Sequence, residues 1–312
     1  MFAPLRALRK LAEFVKFSHT VFALPFALAA MALAARDNRG WPGWRTFLLI
    51  LLAMVGARTC AMAFNRIVDR KFDAANPRTA LRHLATGEIP LAGAWALCLA
   101  GAAALVIAAW LLNPVCFYLS PVALFAVCFY SLTKRFTDFT HFFLGAALAL
   151  APLGAWLAVT GGLEFFPTRD GALSLKHSAF VPLLLALAVV FWLVGFDIIY
   201  AIQDYEFDRR QGLHSLVVRW GVKNALQAAF LAHVFMWLLL ALLGVIARFW
   251  APYLVGLLLI LGCLLVEHWL ARKRSLKWVN TAFFRMNALI SAIFLVIVVA
   301  EVVFPRFMIQ TR

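Results

Sequence analysis

Residues 46–73, TFLLILLAMVGARTCAMAFNRIVDRKFD, decide how the rest of the chain is read. Residues 46–64 are apolar apart from Arg58 and approach the length that crosses about 30 Å of hydrocarbon. Backbone polar groups in lipid must be satisfied internally, so this run reads as a spanning helix. At Asn65 the character changes, and Asn65-Arg-Ile-Val-Asp69-Arg-Lys-Phe-Asp73 follows. Asp69 and Asp73 are four apart, which puts both carboxylates on one helical face.

The composition extends this pattern to the whole chain. Of 312 residues, 65% are hydrophobic and 14% charged, and the mean hydropathy is +0.90. A soluble domain is nearer half apolar and about a quarter charged. The expectation is an all-α polytopic membrane protein, residues 1–312 forming a single transmembrane domain. Nine apolar runs qualify as spans, at 19–36, 46–64, 91–112, 114–132, 139–161, 179–199, 225–247, 250–270 and 283–304. The break between the third and fourth rests on Asn113-Pro114, since proline ends one helix and starts another. Residues 1–17 carry Leu5, Leu8, Leu11 and Val15 on one face and Arg6, Arg9 and Lys10 elsewhere, as an amphipathic interfacial segment does.

The net charge of +15 points to anionic lipid headgroups and topology signals, not to nucleic acid. With the N-terminus inside, most Lys and Arg fall in cytoplasmic segments and the C-terminus lies outside. That makes the chain an integral protein of the cell (inner) membrane, with both acidic stretches facing the cytoplasm. Cys60, Cys98, Cys116, Cys128 and Cys263 sit singly in apolar runs and read as small buried hydrophobes. No obligate protein partner is evident.

The second acidic stretch is Asp197-Ile-Ile-Tyr200-Ala-Ile-Gln-Asp204-Tyr-Glu-Phe-Asp208. The same offset separates Asp69 from Asp204 and Asp73 from Asp208, a faint repeat that would bring the two pairs face to face. Four converging carboxylates repel one another unless cations join them. Mg2+ binds through one or two carboxylates and leaves its other positions to water and phosphate. Arg66, Arg70, Lys71, Arg78, Arg82, Lys134 and Arg209 supply charge for phosphate oxygens. A diphosphate held at a membrane surface points to a lipid diphosphate.

The stretch Asn65-x3-Asp69-x2-Phe72-Asp73-x4-Arg78-Thr79-x2-Arg82-x4-Gly87 resembles the signature of the UbiA superfamily of intramembrane prenyltransferases, and Tyr200-x3-Asp204-x3-Asp208 resembles its second aspartate motif. Asn76 departs from the family's usual Val or Met and lies outside the acidic core. The resemblance implies nine transmembrane helices around a central cavity under a cytoplasmic cap. It also implies Mg2+-dependent transfer of a prenyl chain from a polyprenyl diphosphate to an aromatic acceptor. By position, Asp69, Asp73, Asp204 and Asp208 look like metal ligands and Asn65 like a Mg2+–diphosphate residue. Asp197 matches a further acidic position of the cavity, and Lys134, in Tyr130-x3-Lys134-Arg135, a lysine near the diphosphate. Arg58 looks like the intramembrane arginine of the 4-hydroxybenzoate branch. Arg66, Arg78, Arg82 and Tyr200 complete the expected substrate-binding set.

An ionisable residue at the depth of Asp197 marks a functional position. Glu267, His268 and the basic run 272–277 read as a solvated helix end and topology signal, and His19 as a packing residue or an acceptor contact. The leading activity is prenylation of a 4-hydroxybenzoate-type acceptor in ubiquinone or menaquinone biosynthesis. Futalosine-route naphthoate, haem, chlorophyllide and ether-lipid acceptors are alternatives, and a cation-coupled transporter is the non-enzyme reading.

Overall fold

A computed structural model describes residues 20–163, 179–272 and 282–304, together with Leu11, Glu13 and Phe14. Apart from Leu11, Glu13 and Phe14, the expected interfacial segment at 1–17 lies outside the described residues, as do His19 and 273–277. The described residues form no strand. Among the described residues nine apolar helices form the bundle: α1 (Thr20–Ala34), α2 (Trp44–Ala75), α3 (Leu91–Leu112), α4 (Pro114–Thr133), α5 (Thr140–Thr160), α6 (Phe180–Ala201), α7 (Leu216–Ile246), α8 (Ala251–Ala271) and α9 (Asn287–Val303). All but α1, 15 residues as described, belong to segments long and apolar enough to cross a membrane. The chain is an integral membrane protein.

Helix ends follow local chemistry. Asn113 separates α3 from α4: its Oδ1 accepts from the Cys116 amide at 2.9 Å, and Pro114 takes the first helical position. The Nδ2 of Asn113 donates to the Leu157 carbonyl on α5 at 2.9 Å, so the break is also tied to a neighbouring helix. Ser215 caps α7 through its Oγ, which accepts from Val218 N at 3.1 Å. The expected span at 225–247 therefore starts earlier than its apolar run. Gly221, with φ 74°, kinks the added segment in a conformation that favours glycine.

Consecutive helices pack from α2 to α9, and α9 returns to α1, which also packs on α5. Phe26 of α1 stands 4.7 Å from Trp192 of α6 and 5.0 Å from Phe294 of α9, ring centre to ring centre. At the α2–α3 crossing the two backbones come close together. A Cβ added at Gly101 would lie 2.6 Å from Cys60 N and 2.7 Å from Gly56 O. Small residues permit this backbone approach in lipid, where packing rather than hydrophobic burial drives association. Gly101→Leu is expected to destabilise the protein by about 3 kcal/mol or more, because the obstructing atoms are backbone. The thermal midpoint in detergent reads this directly, and an unchanged midpoint contradicts it.

Two features set up the polar end of the bundle. At 32 residues, α2 is about 48 Å long, well beyond a hydrocarbon core of about 30 Å, so Asn65–Asp73 project past it on a continuous helix. After α6 the chain tightens into a 3-10 turn, Ile202–Asp204, and a short helix, Tyr205–Arg210. This break buries Asp204 and Asp208 and leaves Glu206 exposed.

Glu267 and His268 are not a solvated helix end. Both are buried. Glu267 accepts from Asn287 Nδ2 at 2.8 Å, and Asn287 Oδ1 accepts from Trp192 Nε1 at 2.7 Å. His268 Nε2 lies 2.9 Å from His233 Nδ1. The expectation failed because these residues face α6, α7 and α9, where a buried polar group must find partners.

Candidate active site

The two acidic stretches meet through cations and amides carried by the loops around them. The first pair rests on α2. Asp69 Oδ2 accepts from Asn65 Nδ2 at 2.9 Å, and Arg135 reaches its Oδ1 at 3.4 Å. Asp73 is bonded by Arg82 Nη1 at 2.5 Å and lies 3.7 Å from Arg66 Nη1. The second pair is bridged to other elements. Arg78, from the loop after α2, grips Asp204 with Nε at 2.9 Å and Nη2 at 2.5 Å. Its Nη1 donates to the Tyr200 hydroxyl at 2.9 Å. Asn76 Nδ2 donates to Asp204 Oδ1 at 3.0 Å. Asp208 pairs with Lys134 Nζ at 2.9 Å. A bidentate guanidinium fixes a carboxylate in angle as well as distance, so Arg78 locks the loop after α2 onto the end of α6.

Lys134 is placed by its surroundings. Its carbonyl accepts from His214 N at 2.7 Å. Asp138, four residues on, takes His214 Nδ1 at 3.1 Å and Arg219 Nη1 at 2.8 Å. The α4–α5 loop is thus clamped to the segment that follows the second acidic pair. Burial pushes the Lys134 ammonium pKa down, but the Asp208 and Asp204 carboxylates outweigh it and hold the value above the ordinary one.

A cavity of about 540 Å³ opens inward from this cluster. Arg58, Asn65, Arg66, Arg82, Tyr130, Asp197 and Tyr200 supply its polar lining, and its remaining wall is almost wholly aliphatic or aromatic, from Phe22 to Leu163. Arg58 is deep in this wall, its Nε buried and without a hydrogen-bond partner among the described residues. Asp197 differs from the four motif acids: among the described residues no Arg or Lys pairs with it, and its Oδ2 lies 2.6 Å from His141 Nδ1.

The donor set around the acids is all oxygen, from Asp69, Asp73, Asp204, Asp208 and the Asn65 amide, which is the chemistry of a hard divalent cation. Among the described residues no three His, Cys, Asp or Glu side chains gather as a closed metal cage. An open, partly ligated set fits Mg2+, which retains water and takes phosphate oxygens.

Of the expected cations, Arg66, Arg78, Arg82 and Lys134 contact the acids, whereas Arg70, Lys71 and Arg209 are exposed and enter no described ion pair. Three participants had been given no site role from the sequence. Asn76, set aside there as peripheral, is buried and holds Asp204. Its departure from the family pattern was the available signal. Arg135 stood in the Tyr130-x3-Lys134-Arg135 match without a role of its own, and His141 left no trace. Asn76→Val is expected to lower turnover by about 5- to 10-fold, the loss of one hydrogen bond to a buried carboxylate. Steady-state kinetics on the purified variant checks this, and a wild-type rate contradicts it.

The profile of the UbiA prenyltransferase family matches residues 23–289. A 4-hydroxybenzoate octaprenyltransferase of Methylobacillus flagellatus is 30% identical over 262 residues, covering 84% of this chain and 83% of that protein. The enzyme of the same name from Pseudomonas aeruginosa is 31% identical over 259 residues, covering 82% and 81%. The apo structure of a UbiA homolog from Aeropyrum pernix K1 superposes with a TM-score of 0.78 at 32% identity, covering 91% of this chain and 98% of that one. A UbiA homolog from Archaeoglobus fulgidus bound to GPP and Mg2+ shares the fold, with a TM-score of 0.66 at 21% identity over 93% and 99% of the two chains. With its paired acids, its basic clasp and an apolar cavity beneath them, the chain belongs to the UbiA prenyltransferase family.

Proposed function

We propose that this protein transfers a polyprenyl group from an allylic polyprenyl diphosphate to an aromatic acceptor of the 4-hydroxybenzoate type in quinone biosynthesis, releasing diphosphate. One observation carries the reading: an apolar cavity of about 540 Å³ has its polar lining next to two acidic pairs and four cations. The apolar wall suits a prenyl chain and the polar cluster suits its diphosphate. Naphthoate, haem, chlorophyllide and ether lipid remain the alternative acceptors.

In this reading Asp69, Asp73, Asp204 and Asp208 would hold Mg2+, and the bound ion would supply positive charge for the diphosphate leaving group. Asn65, Arg66, Arg78, Arg82 and Lys134 hold its remaining oxygens, and the donors are in place before the bond breaks. Arg58 and Tyr200 line the acceptor side. Asp197 lines the cavity with no Arg or Lys pairing with it among the described residues, which leaves it able to take the proton that the acceptor ring loses. The site lies on the cytoplasmic side of the cell (inner) membrane, as the positive-inside bias favours, and residues 1–312 act as one transmembrane unit.

Mass spectrometry of the quinone pool after deletion of the gene tests the pathway. The expected result is loss of the prenylated quinone and accumulation of the unprenylated aromatic acid. An unaltered quinone pool contradicts the reading.

A further inference from the structure

We infer that His141 is a positioning residue for prenyl transfer, holding the Asp197 carboxylate so that one oxygen stays open to the acceptor. The inference rests on the proposed reaction and concerns a residue that the two acidic motifs do not include.

The geometry isolates the pair. His141 stands at the start of α5, its side chain 0% exposed, and its Nδ1 is 2.6 Å from Asp197 Oδ2. Asp197 is 20% exposed and lines the cavity. Among the described residues no other side chain bonds it. An ionised carboxylate only accepts hydrogen bonds, so Nδ1 carries the proton. His141 Nε2 is buried and has no hydrogen-bond partner among the described residues. In the neutral tautomer that atom is an unsatisfied acceptor. In the imidazolium it would be an unsatisfied N–H, the rarer arrangement in folded proteins. The Nδ1–H tautomer thus donates to the carboxylate and leaves Nε2 as the open acceptor.

A second observation keeps the pair in register. A Cβ added at Gly145, one turn beyond His141, would lie 3.0 Å from Val190 O on α6. Gly145 lets α5 approach α6 closely, and Val190 sits two turns before Asp197 on the same face. The close approach and the short hydrogen bond belong to one helix contact.

The reaction gives the bond its purpose. The C–O bond to diphosphate breaks, its electron pair leaves with the diphosphate, and a ring carbon of the acceptor forms the new C–C bond. The ring then loses its proton to Asp197 Oδ1. With Oδ2 committed to His141, Oδ1 is the oxygen left for that transfer, and the carboxylate cannot rotate away.

The test uses purified full-length protein with a polyprenyl diphosphate, Mg2+ and 4-hydroxybenzoate, unlabelled or deuterated at the attacked ring position. His141→Ala is expected to lower kcat on the order of 10²-fold, the cost of a misplaced catalytic group. The KM for prenyl diphosphate should stay within about twofold, since the diphosphate cluster is untouched. Slower proton loss should also raise the deuterium isotope effect above the wild-type value. His141→Asn, whose amide replaces the Nδ1 donor, should recover most of kcat. If His141→Ala does not fold, His141→Gln carries the same test, its longer amide displacing Asp197 while keeping the site polar. Wild-type kcat in His141→Ala overturns the inference. So does a fall in kcat with an unchanged isotope effect and no rescue by Asn. A wild-type protein that releases no diphosphate with the acceptor overturns the underlying reaction instead.

Discussion

Asp204→Asn lowers acceptor-dependent diphosphate release on the order of 10³-fold, while the protein still inserts and folds in the membrane. Asp204 is buried at the polar end and takes two bonds from Arg78 and one from Asn76. An asparagine of the same shape retains one acceptor oxygen, loses the charge and presents an amide N–H to the guanidinium. Both the clasp on Arg78 and the capacity to hold a divalent cation are lost. Asp69→Asn is expected to behave alike, because each acidic pair must hold charge at the same time. Neither change touches the packing among α1, α6 and α9. Wild-type rates in both variants would show that the carboxylates only shape the loops.

Removal of divalent metal has the second large effect. A chelator is expected to bring turnover to background and added Mg2+ to restore it, with little change in thermal midpoint. The stability half of this prediction follows from the ion pairs. Asp69, Asp73, Asp204 and Asp208 are each within contact of an Arg or Lys without any metal. None of these four acids is therefore left without a compensating cation when the metal is removed, and an unpaired buried charge is what would strongly destabilise the fold. Turnover that persists unchanged in chelator would contradict the account, and so would global unfolding on chelation.

The parts of this architecture that could be read from sequence depend on short-range rules. Spans are set by the length of apolar runs, and the Asn113-Pro114 break by capping chemistry that acts within one turn. The acidic pairs were visible because i and i+4 spacing is itself a geometric statement. What could not be read depends on contacts between distant helices. His141 reads as an ordinary residue at the start of an apolar run until α6 brings Asp197 against it. Glu267 and His268 look like the charged end of a helix until Asn287 and His233 cover them. Asn76 was seen but undervalued, because nothing local shows that the loop after α2 folds onto Asp204. Helix α7 began earlier than expected because Ser215 and Gly221 together support a kinked helical entry that hydropathy does not register.

The central claim is that the polar end of the cavity activates a prenyl diphosphate for attack by an aromatic acceptor. Purified protein incubated with a polyprenyl diphosphate, Mg2+ and 4-hydroxybenzoate tests it most directly, with diphosphate and prenylated acceptor quantified together by mass spectrometry. Equimolar diphosphate and ring-prenylated acid are expected, both requiring the metal. No metal-dependent release of diphosphate with any aromatic acceptor would contradict it.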